Sequence, residues 1–194
     1  MTPFPNSNRR ILLVDDNPAI HDDFRRILIA DEDGKDLDAE AAHIFGHRRP
    51  PPVEPLRFEL ASAFQGENAI AIAGAARAQS QPFALAFVDM RMPPGMDGLT
   101  TIVKLWEIDA DLQVVICTAY SDHGWGEIQA ALPTRDRWLV LKKPFDKIEV
   151  LQLAQSLTEK WRLTQTARAE IALLEERLRL SRREPSGQPL RLAV

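Results

Sequence analysis

One cysteine, Cys117, stands among 194 residues. It has no partner for an internal disulfide, and it excludes a cysteine-based zinc site. Positive charge is also short: 24 Lys and Arg face 28 Asp and Glu, a formal charge of −4. A chain of that sign is poorly suited to cover nucleic acid or an anionic membrane, so neither direct DNA binding nor membrane binding is expected. Long hydrophobic runs are missing. The longest small or apolar stretch, residues 69–76, falls far short of a membrane span. The opening MTPFPNSNRR lacks the apolar core of a secretion signal, and a cytoplasmic protein is expected. What is present is an ordinary globular composition, 45% apolar and 27% charged. The length suits one domain with an appendage.

Short apolar runs alternate with amphipathic stretches. Residues 11–14 end in Asp15 and Asp16, residues 83–88 in Asp89, residues 112–117 in Thr118, and residues 138–141 in Lys142, Lys143 and Pro144. Runs this short and apolar predict strands buried on both faces, as in a parallel sheet. A weaker alternating run at 57–64 predicts a fifth, more exposed strand. Helical spacing appears between them over 17–30, 65–78, 98–108 and 123–132, with Pro18 at the tolerated start of the first. Alternation of this kind predicts a doubly wound α/β domain, whose ligand site lies beyond the carboxyl ends of the strands.

Two segments depart from that plan. Residues 31–55 open with six acids, pass through His43, Ile44 and Phe45, and end in Arg48-Arg49-Pro50-Pro51-Pro52. So long a connection is unusual in a compact domain; a short helix over 37–45 and a polyproline stretch are expected there. His43 and His47, four apart, read as solvated loop residues, and His21 as a surface residue of the first helix beside Asp22 and Asp23. From Lys147 a helical pattern runs to about Ser181 with no Gly or Pro to stop it, and residues 184–194 read as a frayed tail. A heptad frame through Val150, Leu157, Thr164, Ile171 and Leu178 predicts a coiled coil. The companion positions Ala154, Trp161, Arg168 and Glu175 weaken the seam in its second half, and Leu174 substitutes in a shifted register. Parallel dimerisation through this helix is expected.

The chemistry sits at the strand ends. Asp15, Asp16 and Asp89 place three carboxylates at one sheet edge if their strands are neighbours. Such a cluster suits a hard cation, Mg²⁺, which retains waters and accepts a phosphate. Thr118 and Lys143 end the next two strands. A hydroxyl and an ammonium beside a metal-bound carboxylate make a phosphoryl-binding set, with Asp89 as nucleophile.

The motifs ILLVDDNP, FVDMRMPPGMDG, VICTAYSD and LKKPF resemble the receiver domains of two-component response regulators. The resemblance implies a flavodoxin-like fold, a five-stranded parallel sheet in the order 2-1-3-4-5, here with a C-terminal helical extension. It places the receiver domain at 1–158, with an insertion at about 31–55, an extended helix at 159–183 and a flexible tail at 184–194. It implies Asp89 as phosphoacceptor, Asp15, Asp16 and Asp89 as Mg²⁺ ligands with the backbone carbonyl of Arg91, Thr118 as switch hydroxyl, and Lys143 before a cis Pro144. A histidine kinase or phosphotransfer protein is the implied partner. The implied activity is phosphoacceptance, with no enzymatic turnover beyond the domain's own phosphorylation and dephosphorylation.

Several positions differ from the family pattern. Asp89 stands 73 positions after Asp16 because of the insertion, and the loop after Asp89 carries one extra residue. Val140 occupies the place of the usual switch aromatic. Bulky Arg91 and Tyr120 flank the path of the incoming water, which predicts slow loss of phosphate. No effector domain is visible, so the chain reads as a stand-alone regulator or as the front of a larger signalling protein. The competing readings are a receiver-fold scaffold that is never phosphorylated, and a small phosphatase-like hydrolase. Cys117 reads as core.

Overall fold

The computed structural model describes residues 8–29, 57–119, 125–132 and 136–181. The insertion at 31–55 with its expected helix, His43 and His47, Tyr120, and the tail at 184–194 lie outside the described residues.

Among the described residues five strands and five helices alternate. They are β1 (Arg10–Val14), α1 (Pro18–Leu28), β2 (Glu59–Ala63), α2 (Gly66–Ala78) and β3 (Leu85–Asp89), followed by α3 (Gly98–Ile108), β4 (Gln113–Thr118), α4 (Trp125–Ala131), β5 (Trp138–Lys142) and α5 (Lys147–Ser181). The strands form one all-parallel sheet in the order β2-β1-β3-β4-β5. The doubly wound expectation holds. Successive strand residues point to opposite faces, and the core divides accordingly. Leu12, Val14, Ala86, Val88, Val114 and Ile116 pack under α2, α3 and α4. Ile11, Leu13, Leu85, Phe87, Val115 and Cys117 pack under α1 and α5. Cys117 is a buried free thiol, as the core reading requires.

Local chemistry starts the helices. The Asn17 side chain accepts from the Ala19 N–H at 3.0 Å, and Pro18 opens α1. Asp97 accepts from the Thr100 N–H at 2.7 Å to cap α3. In α1 the buried face is His21, Phe24 and Leu28. His21 is therefore not the surface residue expected; it is 1% exposed. Its spacing to Phe24 and Leu28 puts it on the stripe that must face the sheet.

Helix α5 spans 35 residues. Val150, Ala154 and Leu157 belong to the chain's own core, and Trp161 is buried as well. The first half of the heptad seam thus packs on the sheet. Beyond it, Lys160 donates to the Asp136 carbonyl, and Gln165 and Arg168 donate to Asp111 between α3 and β4. After Arg168 every residue to Ser181 is exposed except Ala169. Among the described residues no helix is long and apolar enough to cross a membrane.

Candidate functional site

The register of the sheet sets the site. Val14 pairs with Val88, so the turn leaving β1 and the end of β3 lie side by side; Asp89 pairs with Cys117, and Thr118 with Lys142. Asp15, Asp16, Asp89, Thr118 and Lys143 are thereby brought to one carboxyl edge, where doubly wound sheets hold their ligands.

Lys143 is the centre of the described charge network. Its Nζ donates to Asp15 Oδ2 at 2.7 Å and to Asp89 Oδ1 at 2.8 Å. Asp15 and Asp89 are both buried, while Asp16 is half-buried. One oxygen from each of the three carboxylates lies within 4.8 Å of the others. Backbone donors hold the acids in place. The Asn17 N–H donates to Asp15 Oδ1 at 2.9 Å, and the Arg91 N–H to Asp89 Oδ2 at 3.3 Å.

The electrostatics follow from burial and pairing. Burial pushes the Asp89 carboxyl above the ordinary carboxylate range, against the pull of Lys143. Burial also works to lower the Lys143 ammonium, but its hydrogen bonds to Asp15 and Asp89 outweigh that and raise it. Lys143 is therefore held as a cation. Cys117 lies beneath the same edge, and burial pushes its thiol far up, which leaves it no nucleophilic role.

Three carboxylates against one lysine leave negative charge unbalanced in a partly buried space. A small hard divalent cation with oxygen ligands fits that donor set.

Thr118 is half-buried, and its hydroxyl donates to the Ala119 carbonyl at 3.0 Å. Val140 is 37% exposed on β5, opposite Ile116. The Lys143–Pro144 peptide is cis, as the resemblance implies, and so is Pro93–Pro94 in the longer loop after Asp89.

Two residues missed from the sequence shape this edge. His21 Nε2 lies 2.8 Å from the Asp15 carbonyl and its ring stacks 4.3 Å from Phe64, which joins the ends of β1 and β2 to α1. Its periodicity with Phe24 and Leu28 was the available signal. Gly98 opens α3 so close to Asp89 that a Cβ there would stand 2.3 Å from the Asp89 carbonyl oxygen. Only glycine lets that helix start against the end of β3.

Solved structures share this architecture. A chain described as adenylate cyclase from Rhodopirellula baltica superposes with a TM-score of 0.61 at 22% identity, over 85% of this chain and 98% of that one. The signal receiver domain of an HD domain-containing protein from Pseudomonas fluorescens Pf-5 gives 0.57 at 17% identity, over 86% and 97%. The REC domain of AraT, a response regulator from Geobacillus stearothermophilus, gives 0.55 at 22%, over 81% and 98%. These likenesses establish the fold. No curated protein matches the chain. Residues 54–155 match the family description "Response regulator receiver domain". That match starts at the end of the insertion and so omits β1 with Asp15 and Asp16, which the sheet returns to the edge beside Asp89. With more than half of its length matched and the five-stranded parallel sheet complete, the chain belongs to the response regulator receiver domain family.

Proposed function

We propose that the chain is a cytoplasmic phosphoacceptor: Asp89 takes a phosphoryl group from a histidine kinase or phosphotransfer protein. The observation that carries this is the pairing of one lysine with two buried carboxylates at the sheet's carboxyl edge, 2.7 and 2.8 Å away, with a third carboxylate beside them. Receiver domains bind Mg²⁺ at an acidic pocket of this kind. Here Asp15, Asp16 and Asp89 would hold it, with the Arg91 carbonyl assigned by family resemblance. The bound ion would supply positive charge to the phosphoryl oxygens.

In the transfer step an Asp89 carboxylate oxygen attacks phosphorus. A P–O bond forms as the donor's P–N bond breaks, and the imidazole leaves with the electron pair and takes up a proton. Lys143 turns from Asp89 to the arriving oxygens, keeping Asp15 as its anchor. Thr118 offers its hydroxyl to one of them. Water later cleaves the acyl phosphate and releases inorganic phosphate, so turnover is limited to the domain's own modification. With Val140 in place of the switch aromatic, the response passes through Thr118, α4 and β5 to α5. Output runs through α5 and the pairing of two copies, whether the chain acts alone or leads a larger signalling protein.

The test is phosphate incorporation from acetyl phosphate, with and without Mg²⁺, in the native chain and in Asp89→Asn. Mg²⁺-dependent label on the native chain and none on the variant is the expected result. Absence of label on a folded native chain that binds Mg²⁺ overturns the reading and leaves an adaptor that uses the fold as a scaffold.

A further inference from the structure

The exposed half of α5 carries an apolar stripe with no partner among the described residues. Ile171, Leu174 and Leu178 are 55%, 56% and 61% exposed, and Ala167 continues the stripe one turn earlier. The steps between these four residues are four, three and four, the spacing of a helix–helix seam. Ile171 and Leu178 continue the heptad frame of Val150 and Leu157, but a straight helix drifts about 20° per heptad, so the stripe has turned away from the domain-facing side. Val150, Ala154, Leu157 and Trp161 are already buried, and Gln165 and Arg168 hold Asp111 on that side. Four exposed charged residues border the stripe: Glu170 and Arg177 along one flank, Arg168 and Glu175 along the other. Each flank carries one residue of each sign.

We propose that the stripe pairs with the same stripe of a second copy, and that the two helices run antiparallel. This rests on the homodimer reading above and replaces the parallel orientation expected from the sequence. With the two-fold axis between residues 172 and 173, Ile171 of each copy meets Leu174 of the other. Leu178 meets Ala167, a large residue against a small one. One flank then sets opposite charges together, Glu170 beside Arg177 of the second copy; on the other, Glu175 of the second copy faces Arg168, which also holds Asp111 of its own chain. A parallel, in-register pair brings Glu170 beside Glu175 of the second copy on both sides of the seam. The flanking charges therefore choose the antiparallel arrangement, as such charges do in helix pairing.

Sedimentation of the full chain over a range of concentrations, combined with directed cross-linking, tests this. A reversible dimer is expected. Glu170→Arg sets like charges together in the antiparallel pair and weakens the dimer about fivefold or more, and adding Arg177→Glu to it restores the affinity. In a parallel pair the same Glu170→Arg change would strengthen the dimer. Under oxidation, Leu178→Cys alone is expected not to cross-link, while a mixture of Leu178→Cys and Ala167→Cys chains does. Self-linking of Leu178→Cys, or a tighter dimer in Glu170→Arg, overturns the antiparallel orientation and leaves the homodimer standing. A dimer that neither charge variant alters overturns the seam. A monomer at every concentration overturns the pairing itself. Phosphate incorporation, measured separately on the same samples, reports on the phosphoacceptor reading.

Discussion

His21 donates its Nε2–H to the carbonyl of Asp15 across 2.8 Å, from a position 1% exposed to solvent. The acidic turn after β1 is thus tied from below by α1, while Lys143 and the Asn17 N–H hold the Asp15 carboxylate from above. His21→Leu keeps the bulk against Phe64 but leaves a buried carbonyl without its donor. A loss of about 1–3 kcal/mol in stability is expected, together with weaker Mg²⁺ binding. His21→Gln, which can present an N–H at a similar reach, is expected to recover part of both. Denaturant unfolding read beside a Mg²⁺ titration checks this. Unchanged Mg²⁺ affinity in the leucine variant would leave His21 a purely structural role.

Lys143 pairs with two buried carboxylates at once. Lys143→Met leaves Asp15 and Asp89 facing each other, as costly as any buried like-charged pair. The lysine side chain is 23% exposed, so water moderates the loss. A decrease of about 2 kcal/mol is expected, below the range for a fully buried pair. Added Mg²⁺ should raise the Tm of the variant more than that of the native chain. Thermal melts with and without MgCl₂ decide it; equal Mg²⁺ effects in both proteins would remove the three carboxylates as the binding set.

Asp109 ends α3 at the opposite edge of the sheet, with its Oδ1 accepting from the Asp111 N–H at 3.0 Å. Burial raises its carboxyl above the ordinary carboxylate range, although that N–H and the nearby Arg77 and Arg168 pull it down. A raised carboxyl disfavours folding in its ionised form. The cost is absent below the unfolded value, grows as pH rises through it, and is complete above the folded value. Asp109→Asn keeps the acceptor oxygen and removes the charge. The variant is therefore expected to be more stable than the native chain at pH 7, with the difference fading by about pH 3. Denaturation curves across that range check it. A variant less stable than the native chain at neutral pH would show that the arginines outweigh burial.

Strands β1, β3 and β4 were legible because strands buried on both faces leave unbroken apolar runs; β5 showed the same run but is an edge strand with Leu139 and Val140 exposed, not the strand buried on both faces that was expected. The edge strand β2 showed only alternation, since much of it is half-exposed. Asp15, Asp16, Asp89, Thr118 and Lys143 were legible as a group because each follows such a run, and parallel pairing carries all the run ends to one edge. His21 was misplaced because its acidic neighbours drew the eye from its spacing to Phe24 and Leu28. Gly98 gave no signal, since a close approach between α3 and β3 leaves no pattern in sequence. The heptads of α5 could not say whose surface they cover. Periodicity marks an apolar face and is silent about whether the sheet or a second chain lies against it.

Helix α5 begins four residues after Lys143 and is last buried at Trp161. Gln165 and Arg168 still tie it to Asp111, and the thirteen residues after Arg168 form an arm roughly 20 Å long at 1.5 Å per residue. With Arg168 as fulcrum, a tilt of roughly ten degrees would sweep the tip sideways through about 3 Å. A displacement too small to disturb the packing around Lys143 can thus arrive at the far end as a lateral shift that moves the whole seam.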